Sequence, residues 1–77
     1  RLAGSVRLRI TYEHKRGVIS HILQACDKHN WALTELSSSP DGGVLLTLTG
    51  TNIRHAASAV AGVEGVTSVR RIDAGED

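Results

Sequence analysis

The apolar residues of this chain change their spacing at Gly17, and that change constrains the fold more than any other feature. Before it, Val6, Leu8, Ile10 and Tyr12 alternate with Arg7, Arg9 and Thr11. Side chains of an extended strand point alternately to its two faces, so this spacing predicts a strand with one buried face. After it the spacing is helical. Val18, Ile19, Ile22, Leu23 and Cys26 gather on one side, with Ser20, Gln24, Asp27 and Lys28 mostly on the other. His29-Asn30 is the expected stop, because Asn accepts the left-handed backbone conformation.

The rest of the chain repeats the alternation of periods. Trp31 to Ser37 reads as a second strand, less cleanly alternating. Ser38-Ser39-Pro40-Asp41-Gly42-Gly43 is the strongest turn signal. Val44, Leu46 and Leu48 then alternate with Leu45, Thr47 and Thr49, so the strands flanking the turn pair as an antiparallel hairpin. Gly50-Thr51-Asn52 ends that strand and offers an N-cap to a second amphipathic helix. Ile53, Ala56, Ala57, Val60 and Val63 form its apolar side, and Gly62 or Gly65 ends it. Val66 to Ile72 is a last strand, followed by a polar tail from Asp73 to Asp77. The order is β-α-β-β-α-β. Right-handed crossovers place both helices on one face of a four-stranded antiparallel sheet, an α+β, ferredoxin-like arrangement. Val6, Leu8, Ile10, Ile22, Leu23, Val44, Leu46, Leu48, Ala57, Val60 and Val69 are the expected core.

A chain of 77 residues supports one domain, residues 1–77. So small a domain buries only about 60–65% of the surface its unfolded chain exposes, which leaves little core to give up to a deep catalytic cleft. A net charge of +1 supplies no field to gather nucleic acid or an anionic membrane. The single cysteine, Cys26, cannot close an intramolecular disulfide, which points to a reducing compartment. Apolar runs such as Val44-Leu45-Leu46 fall far short of the roughly 20 residues of a membrane span. The chain begins at Arg1 and has no methionine, which is read as the mark of a piece excised from a longer protein.

The chemistry-bearing residues are dispersed. Cys26 and His29 lie one helical turn apart, with His21 two turns before His29, but Cys26 belongs to the apolar stripe. The carboxylates do not converge as oxygen ligands for Mg²⁺ or Ca²⁺. Ser20 and His21 are adjacent on a helix and cannot face each other. No catalytic residue, metal or cofactor is therefore expected. The helix-free face of the sheet would carry Arg7, Arg9, Thr11, Leu45, Thr47 and Thr49, with Arg70 and Ile72 as candidates to join them. It lacks aromatic rings for stacking bases, so nucleic acid is not an expected partner. It is either a solvated face or a pairing surface for another domain or subunit.

The junction Glu13-His14-Lys15-Arg16-Gly17-Val18-Ile19 is the candidate ligand site. A glycine turn delivers the first N–H groups of a helix beside two cations, a weak anion site, or simply a strand-to-helix turn with solvated charges. At these residues the sequence resembles the ACT domain, a small βαββαβ regulatory module. ACT sequences read Asp-Arg-Pro-Gly-Val-Leu here, where this chain has His14-Lys15-Arg16-Gly17-Val18-Ile19. Ser20-His21-Ile22-Leu23, Asn30-Trp31-Ala32-Leu33 and Val63-Glu64-Gly65-Val66-Thr67-Ser68-Val69 extend the likeness over about residues 5–72. In ligand-binding ACT domains the loop before the glycine cups an amino acid, commonly across a dimer interface. Gly17 carries over; the acid is replaced by His14 and the proline by Arg16.

A narrower resemblance lies in Arg16-Gly17-Val18-Ile19, Leu23-Gln24-Ala25-Cys26 and Asn30-Trp31-Ala32-Leu33. This run is similar to the cytoplasmic C-terminal domain of the magnesium-transporter-C (MgtC/SapB) family. Those are bacterial inner-membrane proteins linked to growth in low magnesium and to virulence. The resemblance implies a non-catalytic regulatory or interaction domain on the cytoplasmic side of the inner membrane. Its partner would be another protein or the membrane-embedded part of the same chain. The alternative is an amino-acid-binding, allosteric ACT domain of a metabolic or stringent-response enzyme. Specific Mg²⁺ binding by this domain is not expected. The isolated domain is expected to be a monomer or a weak dimer. Lys15 and Arg16 set like charges against each other on pairing, and Ser20, His21, Gln24 and Lys28 provide no large apolar anchor.

Overall fold

The structure is a computed structural model, and it describes residues 4–72. The elements follow the expected order. They are β1 (Gly4–Tyr12), α1 (Val18–Lys28), β2 (Ala32–Ser38), β3 (Val44–Gly50), a short 3-10 turn (Ile53–His55), α2 (Ala56–Ala61) and β4 (Val66–Ile72). The sheet order is β2-β3-β1-β4, with antiparallel pairing at each junction. Residues directly opposite in such a ladder share a face. Val6, Leu8 and Ile10 pair with Leu48, Leu46 and Val44 and turn toward the helices. The fold is the ferredoxin-like βαββαβ architecture. The tail from Asp73 to Asp77 lies outside the described residues.

The core joins both helices to the inner face of the sheet. Val6, Leu8, Ile10, Leu46 and Leu48 meet Val18, Ile22 and Cys26 from α1 and Ala56 and Val60 from α2. Four expectations need correction. Leu23 is only half-buried, because it lines an open groove between α1 and β2. Val44 and Val69 are half-buried and pack at the margin of the core. Ala56 takes the buried position expected of Ala57. The second helix opens with a 3-10 turn, which advances about 120° per residue instead of about 100° and so rotates the following face.

That start also removes the expected cap. Asn52 sits at φ 55°, and its side chain makes no capping hydrogen bond. His55 N donates instead to Asn52 O at 3.1 Å, closing the tighter turn. The stop of α1 follows the sequence. Asn30 is at φ 61°, and the N–H groups of Asn30 and Trp31 donate to Asp27 O at 2.9 Å and Cys26 O at 3.0 Å. The chain then swings Trp31 inward, ahead of β2. Its indole is buried and Nε1 donates to Thr51 O at 2.9 Å.

The hairpin turn is held by its own polar groups. Ser39 N donates to Gly43 O at 2.9 Å, Gly42 N to Ser39 O at 3.0 Å, and Gly43 N to Asp41 Oδ1 at 3.1 Å. The Ser39 hydroxyl and the Gly43 N–H hold the Asp41 carboxyl below its ordinary range. A folded pKa below the unfolded one means stability that is present at neutral pH and is lost as pH falls through the folded value. Acid should therefore weaken this turn, and Asp41→Asn should flatten that part of the stability profile. Urea melts of both chains across the acid range check it.

Candidate functional site

The junction between β1 and α1 is built by backbone geometry. Glu13 N donates to Gly65 O at 2.7 Å and Lys15 N to Glu13 O at 2.7 Å, which ties the loop to the chain entering β4. Gly17 then takes φ 90°, a left-handed value that favours glycine, and its carbonyl accepts His21 N at 2.9 Å to start the helix.

This geometry divides the seven candidate residues. Glu13, Lys15, Arg16 and Val18 line a pocket of about 170 Å³ with His21, Glu64 and Gly65. Lys15 Nζ lies 3.1 Å from Glu13 Oε1, so part of the positive charge of the loop is answered within it. His14 faces elsewhere. Its ring stacks on Tyr12 at 4.6 Å and its Nε2 lies 2.8 Å from Gly42 O, linking the loop to the hairpin turn. Ile19 also leaves the pocket and lines a groove on the other side of α1. Val18 is buried and ties the loop to the core.

That groove was not singled out by the sequence. It has a volume of about 650 Å³ and runs between α1 and β2, lined by Ile19, Leu23, Cys26, Trp31 and Leu33, with Ser20, Gln24 and Asp27 at its rim. The β2 side of the groove carries a register shift. Leu33 pairs with Leu48 and Glu35 with Thr47, leaving Thr34 as the extra residue, whose hydroxyl donates to Thr47 O at 3.3 Å. The extra residue puts Leu33 and Leu36 on the same face, although they are three residues apart. Both oppose core leucines, yet they remain 38% and 51% exposed, Leu33 as part of the groove lining. The irregular alternation of Trp31 to Ser37 was the visible trace of this bulge.

The Cys26–His29 spacing does not become a metal pair. The Cys26 side chain is buried and its thiol pKa is pushed up by burial. The His29 ring stacks on Trp31 at 4.4 Å, with Nδ1 2.9 Å from Ala25 O. Among the described residues no three His, Cys, Asp or Glu side chains converge on one point. Among them, too, no helix is long and apolar enough to cross a membrane.

No family model matches the sequence, and no curated protein matches it either. Solved structures do. The crystal structure of the ACT domain from GTP pyrophosphokinase of Chlorobium tepidum superposes with a TM-score of 0.67 at 21% identity, covering 92% of this chain and 100% of that one. The solution structure of the same domain gives a TM-score of 0.67 at 20% identity, covering 97% of this chain and 92% of that one. At such identities the likeness establishes an ACT-like fold.

Proposed function

We propose that this chain is a non-catalytic regulatory domain that acts by contact along α1 and β2. The observation that carries the reading is the open apolar groove beside an edge strand whose residues are all exposed. An unpaired strand edge beside exposed leucines is a surface suited to a partner. The finer reading is the cytoplasmic C-terminal domain of an MgtC/SapB-type inner-membrane protein, linked to magnesium homeostasis and virulence. Its partner would be another protein or the membrane-embedded part of its own chain. The support is the resemblance between Arg16 and Leu33, which contains Ile19, Leu23, Cys26, Trp31 and Leu33 of the groove.

A second reading is an amino-acid-binding, allosteric domain of a metabolic or stringent-response enzyme. The likeness to the pyrophosphokinase domain and the pocket behind Glu13, Lys15 and Arg16 favour it. Titration with amino acids and divalent ions, followed by Trp31 fluorescence and amide shifts, distinguishes the two. The first reading expects no specific amino acid to bind at millimolar concentration and no compact set of amides to move with Mg²⁺. Saturable binding of one amino acid, with shifts at Glu13, Lys15 and Arg16, would install the second.

The isolated domain should be a monomer or a weak dimer. Leu33 and Leu36 are small anchors, and Lys15 and Arg16 would meet like charges if two loops came together. Sedimentation at micromolar concentration checks it. Leu36→Lys should remove any residual association while changing stability by less than about 0.5 kcal/mol. A tight dimer with Gly17 in its interface would favour the amino-acid-binding reading instead.

A further inference from the structure

We propose that the helix-free face of the sheet carries a binding site for an acidic peptide segment, with Arg9 and Arg70 as its two carboxylate-binding groups. This face lies across the sheet from the groove and is independent of it. Arg9 is on the central strand β1, between Leu45 of β3 and Arg70 of β4, and is directly opposite both. Val6, Leu8 and Ile10 take the core side of β1, so Arg9 and these two neighbours share the other side.

Two features of this row call for an anion. Arg9 Nε is buried and has no hydrogen-bond partner among the described residues. A guanidinium only donates and stays charged, so its unmet donor cannot be relieved by losing a proton. Its neighbour across the ladder, exposed Arg70, carries the same charge, and like charges directly opposite are mutually destabilising. The carboxylate of Asp41 does not answer either problem, and that of Glu35 accepts from the Thr47 hydroxyl at 3.0 Å. Asp41 is bound first by the Ser39 hydroxyl and the Gly43 N–H, and Arg9 has only the smallest influence on it. A ligand with two neighbouring carboxylates would place negative charge between the two cations and draw the Arg9 side chain outward, where its Nε–H meets an acceptor. Arginine binds carboxylates through paired, parallel hydrogen bonds.

The surroundings favour a peptide over nucleic acid. Thr11 and Leu45 beside Arg9 are half-buried and offer a hydroxyl and apolar surface to an extended backbone, whereas Ile72 is buried and the Thr47 hydroxyl is donated to Glu35 Oε1 at 3.0 Å. Modules that read bases on such a sheet use aromatic rings there. Here the Tyr12 ring is stacked on His14, and Trp31 is buried under the opposite face.

The test is an amide-shift titration of the full chain with a short oligoglutamate peptide at low salt. An oligothymidylate of the same charge and inorganic phosphate serve as comparison probes. The expected shifts fall on Arg9, Leu45 and Arg70. Arg70→Gln, an exposed edge position, and Arg9→Gln should each weaken binding roughly tenfold, the effect of losing one charge-assisted hydrogen-bonded pair. Raising the ionic strength from about 0.01 M to about 0.15 M shortens the screening length from about 30 Å to about 8 Å and should weaken binding as well. The proposal is overturned by shifts confined to other surfaces, by unchanged affinity in both variants, or by tighter binding of the oligothymidylate.

Discussion

Truncating Leu8 or Leu46 to alanine should cost about 2–5 kcal/mol each. Both side chains are almost wholly buried and sit directly opposite each other on β1 and β3. Each truncation removes transfer free energy and leaves a cavity that its neighbours fill only partly. At about 0.05–0.15 kcal/mol per residue, a domain of 77 residues has a total stability of about 4–12 kcal/mol. Either substitution therefore removes a large share of it. Because the two leucines lie directly opposite each other in one core, the double variant should not cost the sum of the singles. Leu23→Ala, at a half-buried position, should cost less than either. Urea melts of the four variants measure all of this, and a loss under about 0.5 kcal/mol at Leu46 would contradict its place in the core.

Gly43→Ala should be comparably damaging for a different reason. Gly43 leads into β3 where the hairpin turn passes over β1. A Cβ added there would collide with the backbone carbonyl oxygen of Ile10. No rotamer relieves a clash between a Cβ and backbone, so the strands must separate at their pairing end, beside Ile10 and Val44. A loss of about 2–4 kcal/mol is expected, within the range for forced local strain and disrupted pairing. Gly62→Ala is the control. Its added Cβ would meet Ala59 O at 3.5 Å, an ordinary contact, so its stability should change little or rise by about 0.4–1 kcal/mol. Equal behaviour of the two variants in thermal melts would contradict the close approach at Gly43.

Position in the sheet also explains why the candidate ligand loop was only partly legible. Glu13 to Ile19 is one continuous stretch, and nothing in its residue types separates the members that share a pocket from those that do not. His14 leaves because the hairpin turn presents the Gly42 carbonyl beside it, 28 residues away in sequence. Ile19 leaves because helical rotation carries it to the β2 side of α1. Glu64 and Gly65 enter the pocket because β4 begins beside the end of β1, a neighbourhood set by strand order.

The sequence by itself determined the order of elements, the antiparallel hairpin, the inward set Val6, Leu8, Ile10, Leu46 and Leu48, and the bounds of the last strand from Val66 to Ile72. These depend on side-chain periodicity and turn chemistry, which act over a few residues and are written locally in the chain. The tertiary structure alone decided that Leu23, Leu33 and Leu36 stay partly in water, that Trp31 seals the end of α1, and that Ala56 rather than Ala57 faces the core. Those outcomes depend on the open groove between α1 and β2, on one extra residue in β2, and on the phase of a 3-10 turn. Local pattern assigns a residue to a face, but whether that face is covered depends on the distance to another element.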